Sequence, residues 1–460
     1  MSEKIKPADK SDFSKGSVSG AIVRLALPMA FAQLFNVLYS VISKIYLGRL
    51  PGVMHLALSG VGITLPIIFI ITSVAALCSS GGGPLFAIAR GKGDDEEAEC
   101  IMGNAFTMLL ALGAIMTAVV LIFRTPLLFL FGASEYTYLF AREYLTTYSL
   151  GSIFVMISMG MNVFINAQGF GRTAMITTII GASVNLVLEP VFIFVLGMGV
   201  RGAALSTVIA QFSSSVWVLW FLARKSLLRI RFSRMRLLAS RVRSILALGL
   251  SGFIMMLTST LSMVFANVML QRHGGDMYIG VMAIINALRE IVSMPFFGIE
   301  RGASPVISFN YGAKLFDRVR AAIKFKVKLA VIYGAVATAI IMLLPGVLIG
   351  VFNNDPKLIA AGIPALRIYY GMFVFMVMHM TAQNVFVGLG MTRHAIFFSL
   401  LRKVFLVAPL TILLPEIGLG TYGVFVAEAV SQIVGGLACF GTMYFVVYRR
   451  LKKPGGHRSQ

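Results

Sequence analysis

The chain has little charge, little cysteine and few acidic residues. Only 13% of its 460 residues are charged, whereas 58% are hydrophobic, and the mean hydropathy is +0.87. Soluble domains do not reach this balance, whereas proteins that cross a membrane many times do. The three cysteines lie in or beside apolar runs and form no CxxC pair, so the sequence predicts neither a disulfide framework nor a thiolate metal site. We interpret them as packing residues.

The sequence also lacks the common motifs of nucleotide binding and hydrolysis. It contains no GxxxxGK[ST] loop, no HExxH pair and no GxSxG turn, and no polar segment is long enough to form an ATP-binding domain. His379 is the one histidine within a predicted helix, and no second metal ligand lies near it in the sequence. It is more typical of helix packing or a polar cavity than of catalysis. These absences exclude direct drive by a nucleotide and disfavour an enzyme.

Twelve apolar runs fill the chain after a polar, basic N-terminal segment. Each run is long enough to cross a hydrocarbon core about 30 Å thick. They lie near residues 22–47, 57–88, 102–131, 140–166, 174–196, 203–222, 244–270, 279–309, 329–351, 362–388, 395–415 and 421–447. Met1 to Lys15 is too hydrophilic to be a signal peptide. We therefore expect an all-α polytopic membrane protein with twelve transmembrane helices.

Lysine and arginine fall mainly in alternate connections. The two tails and every second loop hold 28 of them, the other loops hold 7, and 5 lie in predicted helices. By the positive-inside rule, this four-to-one bias places both termini in the cytoplasm. The densest block, Arg224 to Arg243, is then a cytoplasmic linker that orients the chain and contacts anionic lipid headgroups. Because the basic residues share no soluble face, a nucleic-acid partner is not predicted.

A repeat divides the chain into halves. Four residues recur at a constant offset of 221, since Gly197, Gly199, Gly202 and Gln211 match Gly418, Gly420, Gly423 and Gln432. Each half contains six predicted helices, so a pseudo-two-fold axis along the membrane normal would relate two six-helix bundles that flank a central cleft. We expect a tail at 1–21, a bundle at 22–222, a basic linker at 223–243, a bundle at 244–447 and a tail at 448–460.

Glu189 is the most informative residue of the first half. It lies within an apolar run, four residues after Asn185 and directly before Pro190, and the matching position of the second half has no acid. An ionisable group inside a membrane helix is costly and is by default a functional site. At about 1.5 Å per residue, Ser43 and Thr207 reach a similar depth. A carboxylate, an amide and two hydroxyls at one level suit a proton network or a sodium ion.

The eighth run contains two pairs of charged residues. Arg289 and Glu290 are adjacent near its middle, so they point in different directions and do not pair simply. Either a structural ion network or a transport role in the cleft fits this pair. Glu300 and Arg301 lie near the inner end of the same run. We interpret them as interfacial or gate charges.

Three charges lie in the last two runs. Arg402 and Lys403 occupy the inner third of the eleventh run, where long side chains reach the interface, so no site is predicted there. Glu428 has no evident partner in the sequence. Its role stays open at this point.

Six segments of the chain resemble the multidrug and toxic compound extrusion (MATE) family, and most nearly its bacterial MepA-like branch. They are LALPMAFAQLFNVLYSVISKIYLG (25–48), PLFAIARGKGDDEEAECIMGNAF (84–106), NVFINAQGFGRT (162–173), SVNLVLEPVFIF with GMGVRGAALSTVIAQ (183–211), MPFFGIERGASPVISFNYGAK (294–314) and SLLRKVFLVAPLTILLP (399–415). The resemblance covers nearly the whole chain. It implies a V-shaped transporter of the bacterial cytoplasmic membrane that exports amphipathic, often cationic compounds in exchange for protons or sodium ions.

The resemblance also implies roles for particular residues. It places the cation-coupling pocket on Asn185, Glu189 and Thr207, with Asn36, Tyr39 and Asn162 lining the same bundle and Pro28 bending the first helix. The family usually has an Asp in the first helix, where this chain has Ser43. Because one carboxylate neutralises one proton, its loss favours protons as the coupling ion. Sodium at Glu189 and Asn185 is the alternative.

Two other functions fit the architecture less well. A lipid-linked oligosaccharide flippase would line its cleft with cations for a pyrophosphate, and the candidates for such a lining are few. A non-transporting receptor would need neither a duplicated cleft nor a buried acid. The expected partners of the chain are small amphipathic molecules and membrane lipid, and we expect a monomer without a cofactor. The sequence does not identify the substrate.

Overall fold

The computed structural model describes residues 12–47, 54–353 and 355–452, and every regular element in these ranges is a helix. The α-helices are α1 (Val18–Leu47), α2 (Met54–Gly91), α3 (Asp95–Leu130), α4 (Glu135–Leu150), α5 (Ser152–Ala167), α6 (Gly171–Pro190), α7 (Gly199–Arg224), α8 (Ala239–Gly312), α9 (Phe316–Leu343), α10 (Pro345–Gly350), α11 (Pro356–Gly371), α12 (Phe373–Gly388), α13 (Thr392–Leu400), α14 (Ala408–Leu414) and α15 (Gly420–Thr442). Short π-helical segments follow four of them, at Val191–Val195, Leu401–Val407, Pro415–Leu419 and Met443–Tyr448. Two 3-10 turns lie at Phe232–Arg234 and Arg450–Lys452.

The described chain crosses the membrane twelve times when helices are counted by passage. Nine helical stretches are long and apolar enough to span, and α4 with α5 forms a tenth that is bent by 53°. Two of these stretches each contain two spans, because α8 has 74 residues and the stretch 392–448 has 57. A glycine with positive φ divides each of them, Gly275 at 65° and Gly418 at 107°. The predicted number of spans is confirmed.

The glycines of the repeat occupy equivalent turns in the two halves. Gly197 and Gly199 have φ angles of 63° and 54°, and their copies Gly418 and Gly420 have φ angles of 107° and 50°. Residues with a side chain rarely adopt this left-handed region, whereas glycine adopts it readily. Each pair makes the tight turn between the fifth and sixth span of its half. The duplication in the sequence is therefore also a duplication of the fold.

The two bundles touch at the end of the molecule that carries the linker. A Cβ added to Gly249 of α8 would lie 1.8 Å from the Leu77 carbonyl oxygen of α2, so the two backbones are in direct contact. Further along, the same α8 and the first helix are open to solvent or lipid, with Leu261 48% exposed and Leu38 49% exposed. We call the packed end the closed end and the other the open end. The bundles form the expected V.

The segment before α1 is packed against the closed end. Phe13 is fully buried, and its carbonyl oxygen accepts hydrogen bonds from Asn310 at 3.1 Å and Arg318 at 2.9 Å. Because α1 begins at Val18, part of the predicted tail at 1–21 belongs to the folded body. Residues 1–11 and 453–460 of the predicted tails lie outside the described residues.

The connection between the bundles docks on the first half. It is shorter than the predicted linker 223–243, since α7 ends at Arg224 and α8 begins at Ala239. Basic residues of the connection and of the first turn of α8 pair with the acidic start of α3: Arg231 with Glu99 at 3.3 Å, Arg241 with Glu97 at 2.6 Å, and Arg234 with Glu96. The sequence interpretation missed these pairs, although the DDEE run of α3 was a signal for them. Contact between the remaining basic residues and lipid headgroups stays a prediction.

We expect removal of these three pairs to lower abundance more than turnover. In the triple variant Arg231→Gln, Arg234→Gln, Arg241→Gln, each lost pair at the surface costs about 0–1 kcal/mol, and the linker then positions the halves less firmly. The matched control replaces Arg229, Arg236 and Arg243, which are exposed and make no side-chain ion pair among the described residues. Membrane abundance by immunoblot and export per molecule are measured together. Normal abundance with a selective loss of turnover would contradict this role.

The ninth span begins earlier than the sequence indicates. The apolar run at 329–351 predicts a basic loop before it, but α9 begins at Phe316 and carries most of that loop. Lys326 is fully buried on α9, and its ammonium lies 2.8 Å from the Glu300 carboxylate of α8. The paired carboxylate offsets the cost of burying the lysine. A count of charges along the sequence cannot detect such a pair.

Candidate cation-coupling site and cleft

Glu189 joins two helices that are far apart in the sequence. It lies on α6 directly before Pro190, which has no backbone N–H, and the helix widens to a π turn at Val191–Val195. The Glu189 side chain is buried, with 1% of the residue exposed. Ser43 Oγ of α1 donates a hydrogen bond of 2.5 Å to Glu189 Oε1. The carboxylate therefore ties α6 to the first helix.

Asn185 connects the carboxylate to α7. Its amide group lies 2.9 Å from Glu189 Oε2 on one side and 3.1 Å from Thr207 Oγ1 on the other. Hydrogen bonding assigns the amide nitrogen to the carboxylate side, because the amide oxygen then also accepts from the Thr207 N–H at 3.2 Å. The structure thus brings together Ser43, Asn185, Glu189 and Thr207, the four residues that were predicted for one depth.

The network fits a carboxylate that exchanges a proton. Ser43 and Asn185 both donate to Glu189, which suits the ionised form, since an ionised carboxylate only accepts. A proton on Oε1 would turn the carboxyl into a donor, and the Ser43 hydroxyl would have to rotate and accept. Among the described residues, no group of three or more His, Cys, Asp or Glu side chains is placed to hold a metal ion. Glu189 contributes the single carboxylate of this site.

The other residues predicted for the N-terminal bundle lie at different levels. Tyr39 is partly exposed on α1, and its hydroxyl lies within electrostatic range of Glu189. Asn36 Nδ2 lies 3.3 Å from the side-chain amide of Gln33 on the same helix. Asn162 of α5 donates to the Ala174 carbonyl of α6 at 3.1 Å, and Ala174 lies about four turns before Glu189. The structure places Tyr39 beside the candidate coupling site. It places Asn162 about four turns of α6 away from that site, toward the start of the helix.

Arg301 lies where the two bundles meet. Its carbonyl oxygen accepts from Asn166 Nδ2 of α5 at 2.8 Å, and its guanidinium lies 3.1 Å from the side-chain oxygen of Gln33 on α1. The residue is nevertheless exposed, so solvent reaches it from the open end. Arg301 therefore forms part of the cleft floor. Gln33 and Asn166 were not singled out in the sequence, where an uncharged amide on a helix gives little signal.

Glu300 does not lie at an interface, contrary to the sequence interpretation. It is 5% exposed and points into the C-terminal bundle, where it pairs with Lys326 and accepts from Thr381 Oγ1 of α12 at 3.3 Å. Lys326 also donates to Asn384 Oδ1 at 2.7 Å. Adjacent residues of a helix face different directions, which is why Arg301 reaches the cleft floor and Glu300 does not.

Arg402 and Lys403 do not extend to the interface, so that expectation is wrong. The Arg402 side chain is buried and that of Lys403 is 10% exposed, and both lie beside Glu428 of α15, with Arg402 Nη2 2.6 Å and Lys403 Nζ 3.3 Å from Glu428 Oε1. Glu428 thus has two partners that sequence separation had hidden. The shared carboxylate keeps both long side chains within the bundle, since an unpaired charge at this depth is costly.

Arg289 and Glu290 point in different directions, as expected for adjacent residues. Arg289 Nη1 donates to the Tyr369 hydroxyl of α11 at 3.4 Å, so this side chain enters the C-terminal bundle. Glu290 is exposed and lies eleven residues before Arg301, a distance of about three helical turns that returns to the same face of α8. Glu290 therefore lies on the exposed face of α8 that also contains Arg301, and its role in the cleft stays a prediction.

Pro28 and His379 occupy packing positions. Pro28 lies inside α1 and is buried, where its ring leaves one backbone carbonyl of the helix without its usual donor. His379 of α12 is 3% exposed, and its Nδ1 lies 3.0 Å from the Gly435 carbonyl oxygen of α15. The bending role of Pro28 stays a prediction.

The fold and the cleft define the class of protein: a duplicated, all-helical membrane protein with the architecture of a secondary transporter. The family model MatE matches residues 28–191 and 251–413, one match in each half. The chain belongs to the MatE family. The two matches begin at corresponding points of the repeat, which agrees with the duplication.

Named relatives are distant in sequence and similar in length. The chain is 23% identical to Multidrug export protein MepA of Staphylococcus saprophyticus subsp. saprophyticus over 93% of this chain and 95% of that protein. It is 24% identical to the protein of the same name in Staphylococcus haemolyticus over 77% of this chain and 78% of that protein. The likeness therefore extends through both bundles.

Solved structures confirm the fold. A structure described as an outward-facing conformation of a multidrug resistance MATE family transporter superposes with a TM-score of 0.91, at 23% identity, over 98% of this chain and 100% of that one. A transporter of the MOP superfamily from Pyrococcus furiosus, described as having a binding pocket of reverse polarity, gives a TM-score of 0.88 at 23% identity over 98% and 100%. The V-shaped, twelve-span architecture predicted from the sequence is that of these proteins.

Proposed function

We propose that this protein is a secondary active multidrug efflux antiporter, which exports amphipathic, cationic organic compounds in exchange for protons. Membership of the MatE family and the likeness to proteins named Multidrug export protein MepA support the export of small molecules. The observation that carries the exchange mechanism is the hydrogen bond of 2.5 Å between Ser43 and the buried Glu189. It links the proton-binding group to a helix that also contacts the opposite bundle.

Proton binding at Glu189 changes the contact between α1 and α6. When a proton occupies Oε1, the Ser43 hydroxyl accepts from the carboxyl and turns its own hydrogen toward the carbonyl oxygen one turn earlier in α1. The same helix reaches the cleft floor through Gln33, which contacts Arg301 of α8. A shift of α1 therefore changes the contact between Gln33 and Arg301 at the junction of the bundles. Alternating access then follows from the rocking of one bundle against the other.

The cleft supplies an acid for the cationic substrate. Glu290 is exposed on the face of α8 that continues to Arg301 at the floor. A carboxylate on this face attracts a positive charge that enters the cleft. Glu189 is reserved for the proton, and Glu290 receives the cation in this scheme.

The location follows from the family and from the distribution of basic residues. The protein lies in the bacterial cytoplasmic membrane with both termini in the cytoplasm, so the closed end faces the cytoplasm and the open end faces outward. It acts as a monomer without a cofactor. The structure then corresponds to the state that releases substrate and takes up protons.

Purified protein in vesicles tests this function directly. The proton gradient and the sodium gradient are imposed one at a time, and release of a fluorescent organic cation is followed. We expect efflux with the proton gradient alone. Efflux with sodium alone would overturn proton coupling, whereas transfer of a lipid-linked oligosaccharide, or ligand binding without any transfer, would favour the flippase or the receptor.

Ser43→Asp is expected to give the transporter a sodium response. The new carboxylate would lie next to Glu189, where the serine oxygen is 2.5 Å away in the parent chain, and two acids offer the charge and ligands that a desolvated sodium ion needs. Sodium-driven efflux is measured without a pH difference, beside Ser43→Asn as a control of similar size. An identical absence of sodium response in both variants would show that this position does not select the ion.

A further inference from the structure

We propose that the C-terminal bundle holds a second subsite, which binds the carboxylate of a transported compound that also carries a positive charge. This inference rests on the proposed export function and specifies one class of substrate, the amphipathic zwitterion. The subsite is the cavity between the two passages of α8 and the last three spans. Its polar lining consists of Ser259, Ser262, Asn286, Arg289, Tyr369, Lys403, Thr411 and Glu428.

The charge of this cavity, taken together with Arg402, which pairs with its Glu428, is not balanced within the described residues. Glu428 is shared by Arg402 at 2.6 Å and Lys403 at 3.3 Å. Arg289 makes no ion pair in the described part of the chain, and its hydrogen bond goes to the neutral Tyr369 hydroxyl at 3.4 Å. Three cations therefore share one acid. Two net positive charges at membrane depth are costly unless an anion joins them.

The hydrogen-bond donors of the cavity that are not already used suit a carboxylate. Arg289 has a planar guanidinium with five N–H groups, which matches two carboxylate oxygens well. Asn286, one turn before it on α8, has a buried amide nitrogen without a partner among the described residues. Ser259 and Ser262, in contrast, already donate to the Met255 and Thr258 carbonyls. The free donors thus cluster on one side of the cavity.

The cavity lies close to the junction of the bundles. Met263, which lines it, is 45% exposed. Met256, about two turns earlier on the same helix, lies 3.7 Å from Ser73 Oγ of the opposite bundle. The helix passes from the bundle junction to the cavity wall within about two turns. In this proposal the exposed side at Met263 is the route from the cleft.

The arrangement on α8 favours a ligand with two opposite charges. Glu290 faces the cleft, and its neighbour Arg289 enters the cavity. One turn of a single helix therefore offers an acid and a base in different directions. An amine placed at Glu290 and a carboxylate placed at Arg289 and Lys403 would belong to the same small molecule.

Binding of rhodamine B and of its ethyl ester tests the proposal. The two dyes share one cationic ring system, and only rhodamine B has a carboxylate. Fluorescence polarisation with the purified full chain gives a Kd for each dye. We expect Lys403→Met and Arg289→Gln each to lower the ratio of the rhodamine B affinity to the ester affinity about tenfold, since a charge-assisted hydrogen bond is lost. Lys403→Arg should keep the ratio of the parent chain.

Arg367→Met is the matched control, because Arg367 is an exposed arginine of the same bundle. The ratio of the rhodamine B affinity to the ester affinity in Arg367→Met should equal that of the parent chain. Equal losses for both dyes in Lys403→Met and Arg289→Gln would mean that the charges only hold the helices together, and would overturn the subsite. If Lys403→Met does not fold, the affinity ratio measured for Arg289→Gln is by itself the test of the subsite. Displacement of rhodamine B by phosphatidylglycerol in the micelles would assign the cavity to a lipid headgroup and also overturn the proposal.

The two proposals fail in different ways. Ion-driven export of the ester with an unchanged affinity ratio in both variants would remove the subsite and leave the export function standing. A charge-dependent ratio without any ion-driven export of either dye would keep the subsite and remove the export function.

Discussion

Glu189→Gln is expected to abolish ion-driven export and to leave the chain folded and inserted. Glutamine has nearly the shape of glutamic acid and can still accept from Ser43 Oγ, which lies 2.5 Å from the carboxylate in the parent chain. It cannot bind and release a proton. The amide places its NH2 group either toward Ser43, whose hydroxyl can rotate and accept, or toward Asn185, where it meets the NH2 group of that amide. Export should fall to the rate of protein-free vesicles.

The measurement compares proton-driven efflux with passive exchange of labelled substrate. The exchange should persist in Glu189→Gln, because the cleft and its charges are unchanged. Glu143→Gln is the control, since Glu143 is an exposed acid of the same bundle and should export normally. Wild-type rates of proton-driven efflux in Glu189→Gln would remove Glu189 from the coupling mechanism.

The cluster around Glu189 was predictable because each of its residues has its own signal. Glu189 is an acid in an apolar run, and Asn185 precedes it by one helical turn. The depth of Ser43 and Thr207 follows from counting along their helices at about 1.5 Å per residue. The contact of Ser43 with Glu189 across 146 positions of sequence follows once both residues are assigned the same depth in one bundle. Which hydroxyl donates to which oxygen needed coordinates.

The C-terminal bundle was less predictable because its charges compensate each other. The sequence assigns Lys326 to a loop, whereas the structure places it 2.8 Å from Glu300. Arg402 and Lys403 look like interfacial residues until Glu428 is found between them. A pair formed by residues on different helices leaves no local pattern, whereas an unpaired acid in an apolar run does. The spans and the repeat could be read from apolar periodicity and glycine, but helix ends such as that of α9 could not.

The Gly249 contact sets the closed state, and Gly249→Val is expected to stop transport by opening it. A Cβ at this position would lie 1.8 Å from the Leu77 carbonyl oxygen and 2.7 Å from the Leu77 carbonyl carbon. Both are backbone atoms of α2, so no side chain can move aside. The closed end must separate, and the equilibrium shifts toward the state that is open at that end. Gly249→Ala should have the same effect in direction, because the first carbon already clashes.

Thiol labelling at the closed end measures this shift. Ser80 Oγ lies 3.4 Å from the Gly249 carbonyl oxygen, so Ser80→Cys reports on the contact itself, and the three native cysteines are buried. We expect slow labelling of Ser80→Cys alone and at least about tenfold faster labelling when Gly249→Val is added, which corresponds to about 1.4 kcal/mol. Gly62→Val on α2 is the control, since a Cβ there meets no atom within 4 Å. Normal export by Gly249→Val with Ser80→Cys still unreactive would show that the bundles close elsewhere, because a contact that tolerates an added isopropyl group cannot be the one that holds the halves together.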